Sequence, residues 1–238
     1  MVRTIFAVFT LPTILFVGGC VNKYELSCEE KRLHNESITK FASSDRWKEN
    51  IAKFKELDLK TPPPQGAVLF IGSSSIVGWD TQKWFSDIAT INRGFGGSYV
   101  SDSVYYAEQI VLPYKPKTIV FYAGDNDTVD NKSPEMIFVD FKAFVVKVRS
   151  NLPDTRIIAI AIKPSIDRWK YWPKMQQTNA LISDYCQKKP NMYFVDVSKV
   201  MLDADGQPNK DIFKADGLHM NETGYELWTS VIRPLIDE

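Results

Sequence analysis

The sequence predicts a three-layer α/β/α fold, a doubly wound and mainly parallel five-stranded sheet with helices on both faces. Three observations lead there. Short apolar, β-branched or aromatic runs recur along the chain, segments with helical apolar spacing separate them, and loops rich in Gly, Ser, Asn and Asp follow most of the runs. Strand and helix alternating in this way imply parallel pairing, because each return has to cross a face of the sheet. With 238 residues, 44% of them hydrophobic, the chain can bury one substantial core, so one domain over residues 37–238 is expected.

The elements can be justified in order. From residue 37 to 59, Ile38, Phe41, Trp47, Ile51, Phe54 and Leu57 mostly recur at helical spacing, which predicts one or two amphipathic helices packed on something downstream. The prolines of "TPPPQG" then stop the helix and favour an extended approach to the first strand. Strands are predicted at 67–71, 88–92, 118–122, 156–162 and 192–197. Helices are predicted at 100–109, 134–150, 173–187 and 222–235. The second of these is the clearest, with Ser133 to cap it, Pro134 at its first position and Ile137, Phe141, Phe144, Val145 and Val148 on one face. No internal repeat or low-complexity tract interrupts the pattern.

The N-terminus reads differently. Arg3, an apolar run from Thr4 to Val17 and then Gly18, Gly19 and Cys20 have the layout of a secretory signal too short for an ordinary membrane span. "VGGC" resembles a bacterial lipobox, so residues 1–20 read as a lipoprotein signal, which implies cleavage just ahead of Cys20, lipidation of that cysteine as the mature N-terminus and anchoring of the mature chain. Val21 after that cysteine resembles outer-membrane sorting, so the expected place is the bacterial cell envelope, facing the periplasm; a cleaved signal releasing a soluble protein is the alternative. Residues 21–36 are polar without apolar periodicity, as expected of a tether. Cys28 and Cys186 then remain; an oxidising compartment permits a bridge, although two ordinary thiols are the plainer expectation. The 29 basic and 29 acidic residues cancel, and no stretch concentrates one sign, which excludes a nucleic-acid-binding face.

In parallel sheets, ligands sit beyond the carboxyl ends of the strands, so chemistry is sought in "GSSSI", "RGFGGS", "AGDNDT", "KPSIDRWKYW" and, before the last helix, "DGLHMN". A hydrolytic serine needs a base, a group orienting that base, and donors for the oxyanion. Of the two histidines, His34 lies in the expected tether and His219 lies three residues after Asp216, a spacing that can place carboxylate and imidazole on one side of a turn. Glycines in "NRGFGGS" allow close approach to backbone amides, and the asparagine of "GDND" can aim its NH2 at negative charge. Each feature alone also reads as a tight turn, a cap or a structural histidine; their order on successive loops of one sheet is what points to chemistry.

Here the chain resembles the SGNH hydrolases, or GDSL esterase/lipase family, through "FIGSSSI", "NRGFGGS", "GDND" and "DGLH". The resemblance implies a flavodoxin-like fold with Ser74 as nucleophile, His219 as base and Asp216 as its orienting acid. It also implies an oxyanion hole formed by the Ser74 and Gly97 amides and the Asn126 side chain. Ser73 stands where the family usually has aspartate and Ser75 where it has leucine; Ser73 is expected to cap the incoming helix, and that helix's N-terminus to help hold negative charge near Ser74.

Other chemistry fits poorly. Ile76 takes the place of the second glycine of a G-x-S-x-G elbow, a phosphate loop lacks its lysine, and "GFGG" lacks the third glycine of a dinucleotide fingerprint. No cofactor is expected, and no zinc site; Asp125, Asp127 and Asp216 could share a divalent cation, but turn chemistry is the plainer account of the first two. Trp79, Tyr99, Trp169, Tyr171 and Trp172 are candidates for holding a sugar ring or acyl chain, and Arg93 for an anionic substrate, each with core packing or solvation as the alternative. The expected function is a serine ester hydrolase acting on a small-molecule, lipid or glycan ester. An acyltransferase using the same triad and a catalytically idle binding protein are the rivals.

Overall fold

A computed structural model describes residues 24–41 and 44–237; the expected leader and Cys20 lie outside the described residues. In chain order the elements are α1 (Cys28–Lys40), α2 (Lys48–Lys60), β1 (Val68–Gly72), α3 (Ser74–Val77), α4 (Thr81–Trp84), β2 (Thr90–Gly94) and α5 (Val100–Ile110). There follow β3 (Thr118–Tyr122), α6 (Asp125–Val129), α7 (Pro134–Asn151), β4 (Arg156–Ile160), α8 (Trp172–Gln187), β5 (Met192–Val195), α9 (Ser198–Met201) and α10 (Glu222–Asp237). All strand pairs are parallel and the order is β2-β1-β3-β4-β5, so the expected doubly wound sheet is present. From β1 the chain crosses outward to β2 and then back past β1 to β3, and the crevice at the carboxyl ends of β1 and β3, where the direction of winding reverses, is where such sheets bind ligands.

Alternate strand residues feed two cores. Leu69, Ile71, Ile119, Phe121 and Ile157 face one with residues of α5, α7 and α8; Val68, Phe70, Val120, Tyr122 and Ile158 face the other with residues of α10. Ser133 caps α7 through Met136 N–H at 3.2 Å, with Pro134 at the first position as the sequence indicates.

Several boundaries move for physical reasons. β4 ends two residues early because the Asn179 side chain takes over the backbone of Ile162, accepting from its N–H at 2.8 Å and donating to its carbonyl at 2.9 Å. Val197 leaves the sheet with helical torsions and opens α9. β2 begins at Thr90 because Ile88 is still tied into the preceding turn, its N–H donating to the Phe85 carbonyl at 3.0 Å. Of the N-terminal apolar residues, Ile51 is buried and Trp47 and Phe54 pack against the core, but Ile38 and Leu57 are exposed.

The largest departure is the expected tether. From Cys28 it is helix α1, opened by a capping box in which Ser27 accepts from Glu30 N–H and the Glu30 carboxylate accepts from Ser27 N–H. Polar contacts rather than an apolar stripe seat it on α7. His34 Nδ1 and Ser37 Oγ both donate to the buried Asp140 carboxylate at 2.6 Å, and Lys142 donates to Glu30 at 2.6 Å. Both described cysteines are free thiols, Cys28 exposed and Cys186 buried. No helix among the described residues is long and apolar enough to cross a membrane.

Candidate active site

β1 ends against β3 so closely that a Cβ on Gly72 would lie 1.7 Å from the Tyr122 carbonyl oxygen, and Gly72 holds φ +142. Ser73 N–H then donates to that carbonyl at 3.0 Å, and the chain turns into α3. The turn sorts the three serines. Ser73 and Ser75 are 0% and 1% exposed, while Ser74 stays partly open. Ser73 occupies the N-cap position, yet its hydroxyl makes no capping bond and is buried without a hydrogen-bond partner among the described residues, contrary to the capping role expected of it. The dipole expected behind Ser74 is also small, since α3 is a four-residue single turn.

His219 arrives from the segment before α10. Asp216 Oδ1 accepts from the N–H groups of Leu218 and His219, each at 2.9 Å, and Oδ2 accepts from His219 Nδ1 at 2.7 Å. A carboxylate accepts only, so Nδ1 carries the proton and Nε2 is left to accept from Ser74 Oγ at 3.0 Å. The imidazole bond first, and then the two backbone N–H bonds, hold the Asp216 carboxyl well below the usual carboxylate range. Its side chain is 48% exposed, so water screens it and it acts through geometry as much as through field.

Gly97 has φ +79, a left-handed conformation that glycine adopts freely, and a Cβ there would meet the Trp47 ring at 3.3 Å. Its neighbour Gly96 faces Ser74, with 3.5 Å from a built Cβ to the serine Cβ. Asn126, in the first turn of α6, donates through Nδ2 to the Ser98 carbonyl at 3.1 Å and accepts at Oδ1 from Arg168 Nη1 at 3.0 Å. Ser74, His219 and Asp216 are thus joined by hydrogen bonds, and Gly97 and Asn126 are linked by the loop that follows β2.

Other expectations change. Trp79 is core, packed against Phe70, Phe85, Tyr225 and Trp228. Trp172 and Tyr99 are largely buried, and Trp169 and Tyr171 pack against the core, Trp169 stacked on Trp172 at 6.0 Å. Arg93, 9% exposed, is not placed for an anionic substrate: it pairs with Asp58, donates to the Tyr114 hydroxyl at 2.8 Å and lies against the rings of Phe54 and Tyr114. Asp125 and Asp127 do not converge, because Asp125 pairs with Arg168 at 3.2 Å whereas Asp127 pairs with buried Lys132 at 2.9 Å. Burial pushes the Asp127 carboxyl up to about 6, against the pull of Lys132.

The residues missed in the sequence are Trp47 and Arg168. Trp47 donates through Nε1 to Asp102 at 3.2 Å and walls the Gly97 loop, with the Arg46 guanidinium 5.0 Å over its ring. The sequence signal for Arg168 is its place in a post-strand loop that is otherwise dominated by aromatics. A separate cavity of about 740 Å³ under α1 and α5, lined by His34, Phe41, Arg46, Ser101 and Tyr105 among others, includes none of the three hydrogen-bonded residues.

A parallel α/β sheet with these groups at its carboxyl edge has the constitution of an ester hydrolase. The chain belongs to the GDSL-like lipase/acylhydrolase family, whose profile matches residues 70–227, more than half its length. No curated protein matches the sequence. Among solved structures it resembles a Streptococcus pneumoniae protein assigned as a platelet activating factor, with 21% identity, a TM-score of 0.71, and coverage of 89% of this chain and 100% of that one. It also resembles a GDSL-like lipase from Bacteroides thetaiotaomicron, with 20% identity, a TM-score of 0.68, and coverage of 83% and 98%. A Geobacillus acetyl-xylooligosaccharide esterase aligns with 17% identity, a TM-score of 0.58, and coverage of 71% and 94%.

Proposed function

We propose that the protein is a serine esterase that cleaves a short acyl or O-acetyl ester through an acyl-enzyme intermediate. The observation that carries this is the unbroken chain from Ser74 Oγ to His219 Nε2, 3.0 Å, and from His219 Nδ1 to Asp216, 2.7 Å. His219 takes the Ser74 proton as Oγ attacks the ester carbonyl, and Asp216 stabilises the imidazolium that forms. The tetrahedral oxyanion is held by the Ser74 and Gly97 amides and the free N–H of Asn126. His219 then protonates the departing alcohol, and water, activated by the same imidazole, releases the acid and restores Ser74. These roles need no metal or cofactor.

For the acyl group, the acetyl-xylooligosaccharide esterase among the structural neighbours supports a small acyl ester on a glycan, with lipid esters the other class open to the family. The purified chain should hydrolyse p-nitrophenyl acetate and butyrate at a rate that EDTA leaves unchanged, and Ser74→Ala should remove the activity. Undiminished turnover in that variant would refute the assignment.

The N-terminal motif supports a lipid anchor on Cys20 at the outer membrane. Cell fractionation should find the protein with membranes and the Cys20→Ser variant displaced from them; equal partition of the two would rule the anchor out.

A further inference from the structure

We propose that Arg168 is a positioning residue for the oxyanion hole, fixing which way the Asn126 amide faces; this rests on the serine-esterase reading above. An asparagine amide can sit in two orientations related by a flip, and only one of them presents N–H groups to a substrate oxygen. Here both ends of the amide are specified. The Arg168 guanidinium donates to Oδ1 at 3.0 Å, and Nδ2 donates one of its two N–H bonds to the Ser98 carbonyl at 3.1 Å. A flip would turn N–H toward a guanidinium that can only donate, and oxygen toward a carbonyl that can only accept. Both contacts exclude it, and one N–H remains for the oxyanion.

Arg168 is itself held firmly. Its Nη1 also meets Asp125 Oδ2 at 3.2 Å, and Asp125 is buried, with a second cation, buried Lys163, at 3.6 Å. Burial pushes the Lys163 ammonium down, against the opposing pull of Asp125. The same loop reaches the triad. Asp167 N–H donates to the Gly217 carbonyl at 3.1 Å, between Asp216 and His219, and a Cβ on Gly217 would lie 3.1 Å from the Ile166 Cβ. The segment after β4 therefore carries one residue that orients the oxyanion donor and, one position earlier, one that braces the turn holding the general base. Register between nucleophile, base and oxyanion hole is set by a loop that contributes no catalytic residue of its own.

The test is a double-mutant cycle on p-nitrophenyl acetate with Arg168→Met, Arg168→Lys and Asn126→Ala. Arg168→Met is expected to lower kcat by about 10- to 100-fold with KM nearly unchanged, somewhat less than the loss of the donor itself. Arg168→Lys, which keeps a donor for Oδ1, is expected to recover part of that loss. In the Asn126→Ala background, Arg168→Met should cost no more than about twofold, since no amide is left to orient. Equal losses in both backgrounds would make Arg168 a general structural support and overturn the proposal, as would a change confined to KM. If Asn126→Ala alone leaves kcat unchanged, the oxyanion assignment fails first, a result distinct from failure of Arg168. Thermal unfolding of each variant separates misfolding from misorientation, and Arg168→Lys carries the test if Arg168→Met does not fold.

Discussion

At the scale of single residues, three consecutive serines have three different environments. Ser73 and Ser75 are packed away and Ser74 alone of the three is partly open, beside the imidazole of His219. Asp216 accepts from Nδ1 of that imidazole and leaves Nε2 to face Ser74. Asp216→Asn retains an oxygen for the Leu218 and His219 N–H groups, so the turn should persist, but the tautomer is no longer dictated; kcat is expected to fall by about 10³- to 10⁴-fold in steady-state assays. With the Asp216 carboxyl held well below its usual range, it stays ionised as pH falls, so the carboxylate that holds the imidazole persists into the acid range. A kcat in Asp216→Asn within about tenfold of the parent would contradict the assigned role. The hydrogen-bonded grouping of Ser74, Asp216 and His219 was legible through the family resemblance of the blocks that carry them, helped by the nearness of Asp216 and His219 in sequence. Arg168 was not, because a guanidinium's partner 42 positions away is a fact of folding and leaves no local pattern.

At the scale of elements, apolar periodicity identified what is held by apolar packing. It recovered every strand and the helices α5, α7, α8 and α10, and missed α1, whose seat on α7 is the Asp140 carboxylate and the Lys142 to Glu30 pair. The single-turn helices α4, α6 and α9 were also beyond such a reading, since four or five residues hold too little of a helical period. The dependence of α1 on Asp140 can be measured. Asp140 is fully buried and accepts from His34, Ser37 and Lys132, so Asp140→Ala leaves Ser37 without its acceptor and Lys132 with Asp127 as its remaining carboxylate, and should cost about 2–4 kcal/mol in urea unfolding. Limited proteolysis should then cut first within α1. A loss below about 1 kcal/mol with α1 still protected would show that the helix is held by something else.

At the scale of the whole molecule, the N-terminal segment ahead of the family-matched region is built into the domain, with Trp47 walling the loop of Gly97. The candidate site is a meeting of loops after β1, β2, β3 and β4 with the turn before α10, where the winding of the sheet reverses between β1 and β3. That placement was predictable from strand and helix alternation, because a parallel sheet gathers its loops along one edge. The aromatic residues were less readable: Trp79 was a candidate for holding substrate with core packing as the alternative, and it is core, since an aromatic beside a motif can turn inward as readily as toward a ligand. The central claim, that Ser74 is a nucleophile activated by His219, is tested most directly by labelling the intact protein with a fluorophosphonate and locating the adduct by mass spectrometry. One adduct on Ser74, absent in Ser74→Ala and strongly slowed in His219→Ala, is predicted; no adduct, or an adduct on another residue with Ser74 untouched, would contradict it.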